Sequence, residues 1–180
     1  LFRSQIYAYF SAGCFNGYNS GPNGFYGVYQ DVFDQLKKNE MDFYERSGGR
    51  QPGPFPPFGN EASDPTEVSR FYSFWMSFLT VMDFAFADQY NPSSAPNRRT
   101  RRAMEDENQK ARKAAKKEYI EAVRQLAAFV KKRDVRVMKM QKEEAERKAA
   151  QKAKEEQLKQ DREEERRRRA AEYRDAEWIT

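Results

Sequence analysis

Apolar positions along this chain repeat at helical spacing. Phe25, Tyr29, Val32, Phe33 and Leu36 recur three and four residues apart and line one face of a short amphipathic helix. Pro22 and Gly24 mark its entry, and Lys37 and Lys38 suit its C-terminal end, where cations complement the helix dipole. A second helix opens at Asp64 and Pro65, with Thr66 and Glu67 in its first turn. It carries a wide stripe of Val68, Phe71, Tyr72, Trp75, Phe78, Leu79 and Met82. From Arg98 to Val137 there is neither Pro nor Gly and helix formers dominate, which predicts one continuous helix about 60 Å long. Met104, Ala111, Ala115, Tyr119, Ala122, Leu126, Phe129 and Val137 fall on one side of it.

Beyond Val137 the stripe fades into Glu, Lys, Arg, Gln and Ala. No leucine heptad survives there, which argues against a coiled coil. Glu143 with Arg147, Glu144 with Lys148, Glu155 with Lys159, and Glu163, Glu164 and Glu165 with Arg167, Arg168 and Arg169 are weakly stabilising i,i+4 pairs. They predict a lone solvated helix acting as a spacer, with Tyr173 and Trp178 as candidate anchors of its far end. The fold class expected is all-α: short aromatic-rich helices packed with a long basic amphipathic helix, followed by a charged, largely solvated one.

The stretch GYNSGPNGFYGVYQDVFDQL, residues 17–36, concentrates glycine ahead of an aromatic run. A phosphate-cradling loop needs free backbone amides, a helix N-terminus, and a lysine followed by a hydroxyl residue. Gly17, Gly21, Gly24 and Gly27 supply only the first, and Phe25, Tyr26, Val28 and Tyr29 stand where the others belong. A Gly-Pro turn serving a helix is the better reading. The rings Phe25, Tyr29, Phe33, Phe71, Phe74, Trp75 and Phe78 are therefore candidates for core or for protein docking.

Composition divides the chain near Asn97. Residues 1–96 carry net charge −4 and 22 aromatics, whereas residues 97–180 carry net charge +9 and 4 aromatics. The first part can build a core, and the second is mainly charged surface. Four segments follow: an aromatic N-terminal helical segment (1–45), a Gly/Pro-rich connection (46–65), a helical region (66–137) and the charged helix (138–180). In the connection, Phe55 and Phe58 either pin the chain to a neighbour or leave a flexible linker. Beginning on Leu1, without a signal-peptide pattern or a long apolar run, the chain reads as an internal stretch of a soluble protein. The single cysteine, Cys14, excludes an internal disulfide and a Cys-rich zinc site, and the absence of histidine removes the usual general base and metal ligand. No enzymatic activity, metal or cofactor is expected.

On the long helix, Arg99, Lys110, Lys113, Lys117, Arg124 and Lys131 fall opposite the apolar side, and Arg98, Arg101 and Arg102 join Arg99 in a dense patch at its start. Such a rail suits a phosphate backbone, and cations at a helix N-terminus oppose the dipole unless an external anion compensates. These nine residues are the candidate nucleic-acid contacts; a solvated face or a nuclear-localisation run are the alternatives.

The segments GCFNGYNSGPNGFYGVYQDVF, FYSFWMSFLTVMDFAFADQY and RRTRRAMEDENQKARKAAKKEYIEAVRQLAAFVKKRDVRV occur in the order found in zuotin-related J-proteins, and nearly the whole chain resembles that family's zuotin-homology region. The nearest likeness is to the cytosolic subtype that acts in large-ribosomal-subunit maturation. The resemblance implies recruitment of a 70-kDa heat-shock chaperone through a J domain. It also implies docking on large-subunit precursors, through rRNA and tunnel-exit proteins, and association with a zinc-finger maturation factor and a nuclear-export factor. Other members serve nascent chains, which gives the runner-up function; a helical scaffold that binds no RNA is the rival from another class. The chain departs from the full family pattern: without histidine it has no His-Pro-Asp motif, the zinc fingers are missing, and Phe86 stands where a second tryptophan is expected. The implied role is a non-enzymatic, cytoplasmic, ribosome-docking module with no membrane partner.

Overall fold

The computed structural model describes residues 3–177, and every regular element among them is helical. The elements are α1 (Arg3–Ile6), α2 (Phe25–Ser47), α3 (Pro65–Met76), α4 (Arg98–Lys131) and α5 (Val135–Glu177), with short 3-10 turns between them. The chain divides into two compact units, residues 1–137 and 138–180. Trp178 and the side chain of Tyr173 lie outside the described residues.

The glycine loop caps α2 with its own backbone. Phe25 N donates to Gly17 O at 2.9 Å and Tyr26 N to Asn19 O at 3.1 Å, so amides that a phosphate would need are already taken. Gly17 sits at φ 75°, where L side chains are strained, and a Cβ on Gly27 would overlap the Gly21 carbonyl. The helix extends well past the expected end near Lys38, running to Ser47 before Gly48 closes it at φ 68°. No breaker stands between Lys37 and Ser47, and Glu40 on the same face is fully enclosed, so apolar spacing alone underestimated its length.

Phe58, 1% exposed, sits at the centre of the aromatic core, so the Gly/Pro-rich connection is pinned here. Its ring meets Phe71 at 4.9 Å, and Phe25 and Phe33 at 6.0 Å each. Phe33 also meets Phe71 and Trp75, both at 4.8 Å, which joins α2 to α3.

α3 starts as expected: Pro65 occupies its first turn and Asp64 accepts from Thr66 N at 2.7 Å. It ends at Met76, so Phe78, Leu79 and Met82 are not helical as the stripe had implied. Polar contacts from α2 and α4 hold the chain beyond the helix end instead. Glu40 of α2 accepts from Thr80 Oγ1 at 2.8 Å and from Val81 N at 2.8 Å, and Arg124 Nε of α4 donates to Phe78 O at 3.0 Å. Phe84 follows at φ 60°, a left-handed conformation held by packing of its ring on Tyr119 at 5.6 Å.

The long helix is also interrupted. α4 stops at Lys131, and α5 begins at Val135 after a turn in which Arg133 N and Asp134 N both return to Val130 O. The break needs no Pro or Gly because Asp134 caps α5, accepting from Arg136 N at 2.9 Å. Both residues are buried, Asp134 completely. Arg136 Nη2 pairs with Asp134 Oδ2 at 2.7 Å, and Tyr72 Oη donates to the same oxygen at 2.7 Å. Arg136 Nη1 donates to Phe58 O at 3.1 Å and Asn60 O at 2.8 Å, and its guanidinium lies 4.6 Å from the centre of the Tyr26 ring. Burial, with Asp134 beside it, pushes the Tyr72 hydroxyl well above its ordinary range, so it stays a neutral donor.

The second unit is the charged part of α5. Beyond Glu144, every side chain described there is exposed. Of the expected pairs, Glu144 with Lys148, Glu163 with Arg167 and Glu165 with Arg169 form, whereas Glu143 pairs with Lys139 and Arg168 with Glu172. A dense charge run offers each residue several partners of similar energy.

Asp134→Ala leaves a buried guanidinium unpaired and should destabilise the first unit by about 3–5 kcal/mol. Urea unfolding followed by tryptophan fluorescence checks this, with Glu165→Ala expected to leave the midpoint unchanged.

Candidate nucleic-acid interface

α4 is fixed in place from one side, which leaves the other free. Asn97 caps it, its Oδ1 accepting from Thr100 N at 2.9 Å. About three turns further in, buried Asn108 accepts from Gln89 N and Tyr90 N at 3.0 Å each and donates to Tyr90 O at 2.7 Å. Arg112 forks onto Asp88 at 2.5 Å, holding that carboxyl below its ordinary range. These contacts clamp residues 88–90 onto the helix. Tyr119, Ala122, Val123, Leu126, Ala127 and Val130 then bury its second half.

The candidate cations do not all share one surface. Arg98, Arg99, Arg102, Lys110, Lys113 and Lys117 are exposed and, at 3.6 residues per turn, fall within a sector of about 120°. Arg98, Arg99, Arg102 and Lys113 have no carboxylate partner among the described residues, while Arg101 pairs with Glu105, Lys110 with Glu107 and Lys117 with Glu121 on the open surface. Arg124 and Lys131 are used elsewhere. Arg124 is half-buried and spent on the Phe78 carbonyl, and Lys131 lies 5.9 Å from the centre of the Tyr72 ring and 3.8 Å from Met76 Sδ. The rail therefore runs about 28 Å, from Arg98 to Lys117. A depression of about 470 Å³ beside it is lined by Asp88, Glu105 and Asp106 against Arg112 alone, the wrong sign for phosphate.

The seven candidate rings divide similarly. Phe25, Tyr29, Phe33, Phe71, Trp75 and Phe78 are buried, and only Phe74 reaches the surface. Glu40, Asn108, Arg112, Asp134 and Arg136, which position these elements, were not singled out by spacing. Only Asp134 carried a local signal, an N-cap residue following the cations Lys131 to Arg133.

Among the described residues no helix is long and apolar enough to cross a membrane, and no three metal-ligating side chains cluster.

A family model described as zuotin-like, zuotin homology domain, matches residues 24–139. The chain belongs to this family. The zuotin-homology match begins at the Gly24 cap of α2, encloses α3 and α4, and ends just after Arg136. Over 175 residues the chain is 39% identical to DnaJ homolog subfamily C member 21 of Danio rerio, covering 97% of this chain and 32% of that protein. The Homo sapiens protein of the same name is 41% identical over 83% of this chain and 28% of its own length. Zuotin of Saccharomyces cerevisiae is 34% identical over 46% of this chain and 21% of its own. The chain thus spans about a third of the length of the curated relatives it matches most fully.

Within this zuotin-homology region, burial raises the carboxyl of Glu40, opposed by its hydrogen bonds from Val81 and Thr80 and by Lys116. A carboxyl raised on folding adds stability below its unfolded value and loses that contribution as pH climbs through the folded value. Glu40→Gln keeps an acceptor for Thr80 and Val81 but cannot titrate. The wild-type urea midpoint should therefore fall relative to the variant as pH rises from the ordinary glutamate range; parallel profiles would contradict this.

Proposed function

We propose that this chain is the ribosome-docking region of a J-protein co-chaperone acting in late cytoplasmic maturation of the large ribosomal subunit. It works without catalysis, by laying the first half of α4 along rRNA phosphates. The observation that carries this reading is the set of six exposed cations on one sector of a rigidly clamped helix, four of them without a carboxylate partner among the described residues. Between Arg98 and Lys117 nine cations face three carboxylates. Their surface ion pairs are weak enough to be exchanged for phosphate.

In the whole protein, a J domain would recruit the 70-kDa heat-shock chaperone to the docked particle, and ATP turnover there would drive release of the export factor alongside the zinc-finger maturation factor. Family membership and the likeness to DnaJ homolog subfamily C member 21 support this assignment. The greater share of the chain covered by that relative than by zuotin favours maturation over nascent-chain work.

Co-sedimentation of the 180-residue chain with purified large subunits tests the docking. Six phosphate contacts make affinity fall about a thousandfold between roughly 50 and 200 mM salt. Joint substitution Arg98→Glu, Arg99→Glu, Arg102→Glu and Lys113→Glu should abolish retention while leaving the circular dichroism spectrum unchanged. Retention that ignores both salt and these substitutions would sink the proposal, and predominance of the whole protein on polysomes over late precursors would reassign it to nascent chains. The chain alone, lacking histidine, should leave ATP turnover by the heat-shock chaperone at its basal rate.

A further inference from the structure

The first unit also holds an apolar groove that none of the six exposed cations of the α4 rail lines. Residues of the 50–55 and 77–81 segments line a common groove of about 400 Å³, within the roughly 300–1,000 Å³ typical of ligand pockets. Its apolar surface is formed by Phe55, Phe74, Leu79 and Val81. Phe55 and Phe74 meet edge to face at 5.2 Å and are half-buried, and Leu79 is 72% exposed. An isolated exposed leucine is ordinary, but this one is continuous with a concave apolar wall.

The charge around the groove has one sign. Arg50 and Lys116 line it, and no carboxylate does. Arg50 makes no ion pair among the described residues; Lys116 is felt by Glu40, which is fully enclosed behind Thr80 and Val81. The backbone also has spare capacity: the amides of Gln51, Gly53 and Leu79 make no hydrogen bond among the described residues. Free backbone amides beside an apolar wall can donate to the carbonyls of a peptide seated on it.

We infer that this groove binds a short extended segment of a partner protein in which bulky apolar residues are flanked by carboxylates. The apolar side chains seat on Phe55, Phe74 and Leu79, and the carboxylates meet Arg50 and Lys116. A single strand of nucleic acid fits less well, because base stacking needs open aromatic faces and the outermost residue here is aliphatic. The inference stands on the groove alone and does not depend on the α4 rail touching RNA.

The test uses the whole 180-residue chain and a fluorescein-labelled hexapeptide, Asp-Asp-Leu-Phe-Asp-Asp, read by fluorescence anisotropy. Saturable binding in the micromolar range is expected, weakened about tenfold or more by Leu79→Asp and by Arg50→Glu, both at exposed positions that leave the helical content unchanged. The joint reversal of Arg98, Arg99, Arg102 and Lys113 on α4 should leave peptide affinity intact. The counterpart Lys-Lys-Leu-Phe-Lys-Lys should bind at least about tenfold more weakly. Absence of saturable binding, equal binding of both peptides, affinity indifferent to Leu79→Asp, or preferential capture of a single-stranded RNA oligonucleotide at these residues would each overturn the inference.

Discussion

A charge removed from water must be matched, and the paired burial of Asp134 and Arg136 is the constraint around which the first unit is organised. Two residues apart in sequence, they reach four parts of the chain at once. Asp134 takes the Tyr72 hydroxyl from α3 and caps α5, while Arg136 holds the carbonyls of residues 58 and 60 and covers the Tyr26 ring of α2. The carbonyl of Phe58 is fixed by the same guanidinium that lies 4.8 Å from the centre of its ring. A connection rich in glycine and proline, which local preference would leave mobile, is thereby made part of the core. Asp134 also caps α5 where α4 has ended, so helix capping and charge burial meet in one side chain.

The same economy separates the two sides of α4. Where the helix must be held, its polar residues face inward to backbone partners: Asn108 to residues 89 and 90, Arg124 to residue 78. Where it is free, cations face solvent. Arginine therefore serves both sides of one helix: Arg112 and Arg124 hold it through a carboxylate and an orphan carbonyl, while Arg98, Arg99 and Arg102 face solvent. Arg124 reaches one because α3 ends early, leaving Phe78 O without a helical donor.

Much of this was legible from spacing. The all-α class, the start of α3 at Asp64, the start of α4 at Asn97 and the placement of most rings inside follow from period and capping chemistry. What spacing missed depends on contacts between residues far apart in sequence. The end of α3 is set by Glu40, some 40 positions earlier, and Arg124 leaves the rail because of a carbonyl 46 positions away. A helical wheel places Arg124 correctly by angle but cannot reveal that a long side chain will fold back to a carbonyl. Asp134 was the exception: its capping preference was visible, but an uninterrupted run of helix formers outweighed it.

The contacts of Arg136 also bear on when this unit can close during synthesis. The glycine cap of α2 joins residues about eight apart and can form as soon as they emerge, whereas the guanidinium reaches back 78 and 76 positions. A chain made from its N-terminus exposes its aromatic residues long before the charge that locks them in place has been added. A chain truncated between residues 72 and 136 would carry Tyr26, Phe58 and Tyr72 without the cation they surround, a nascent species with exposed rings that favours self-association.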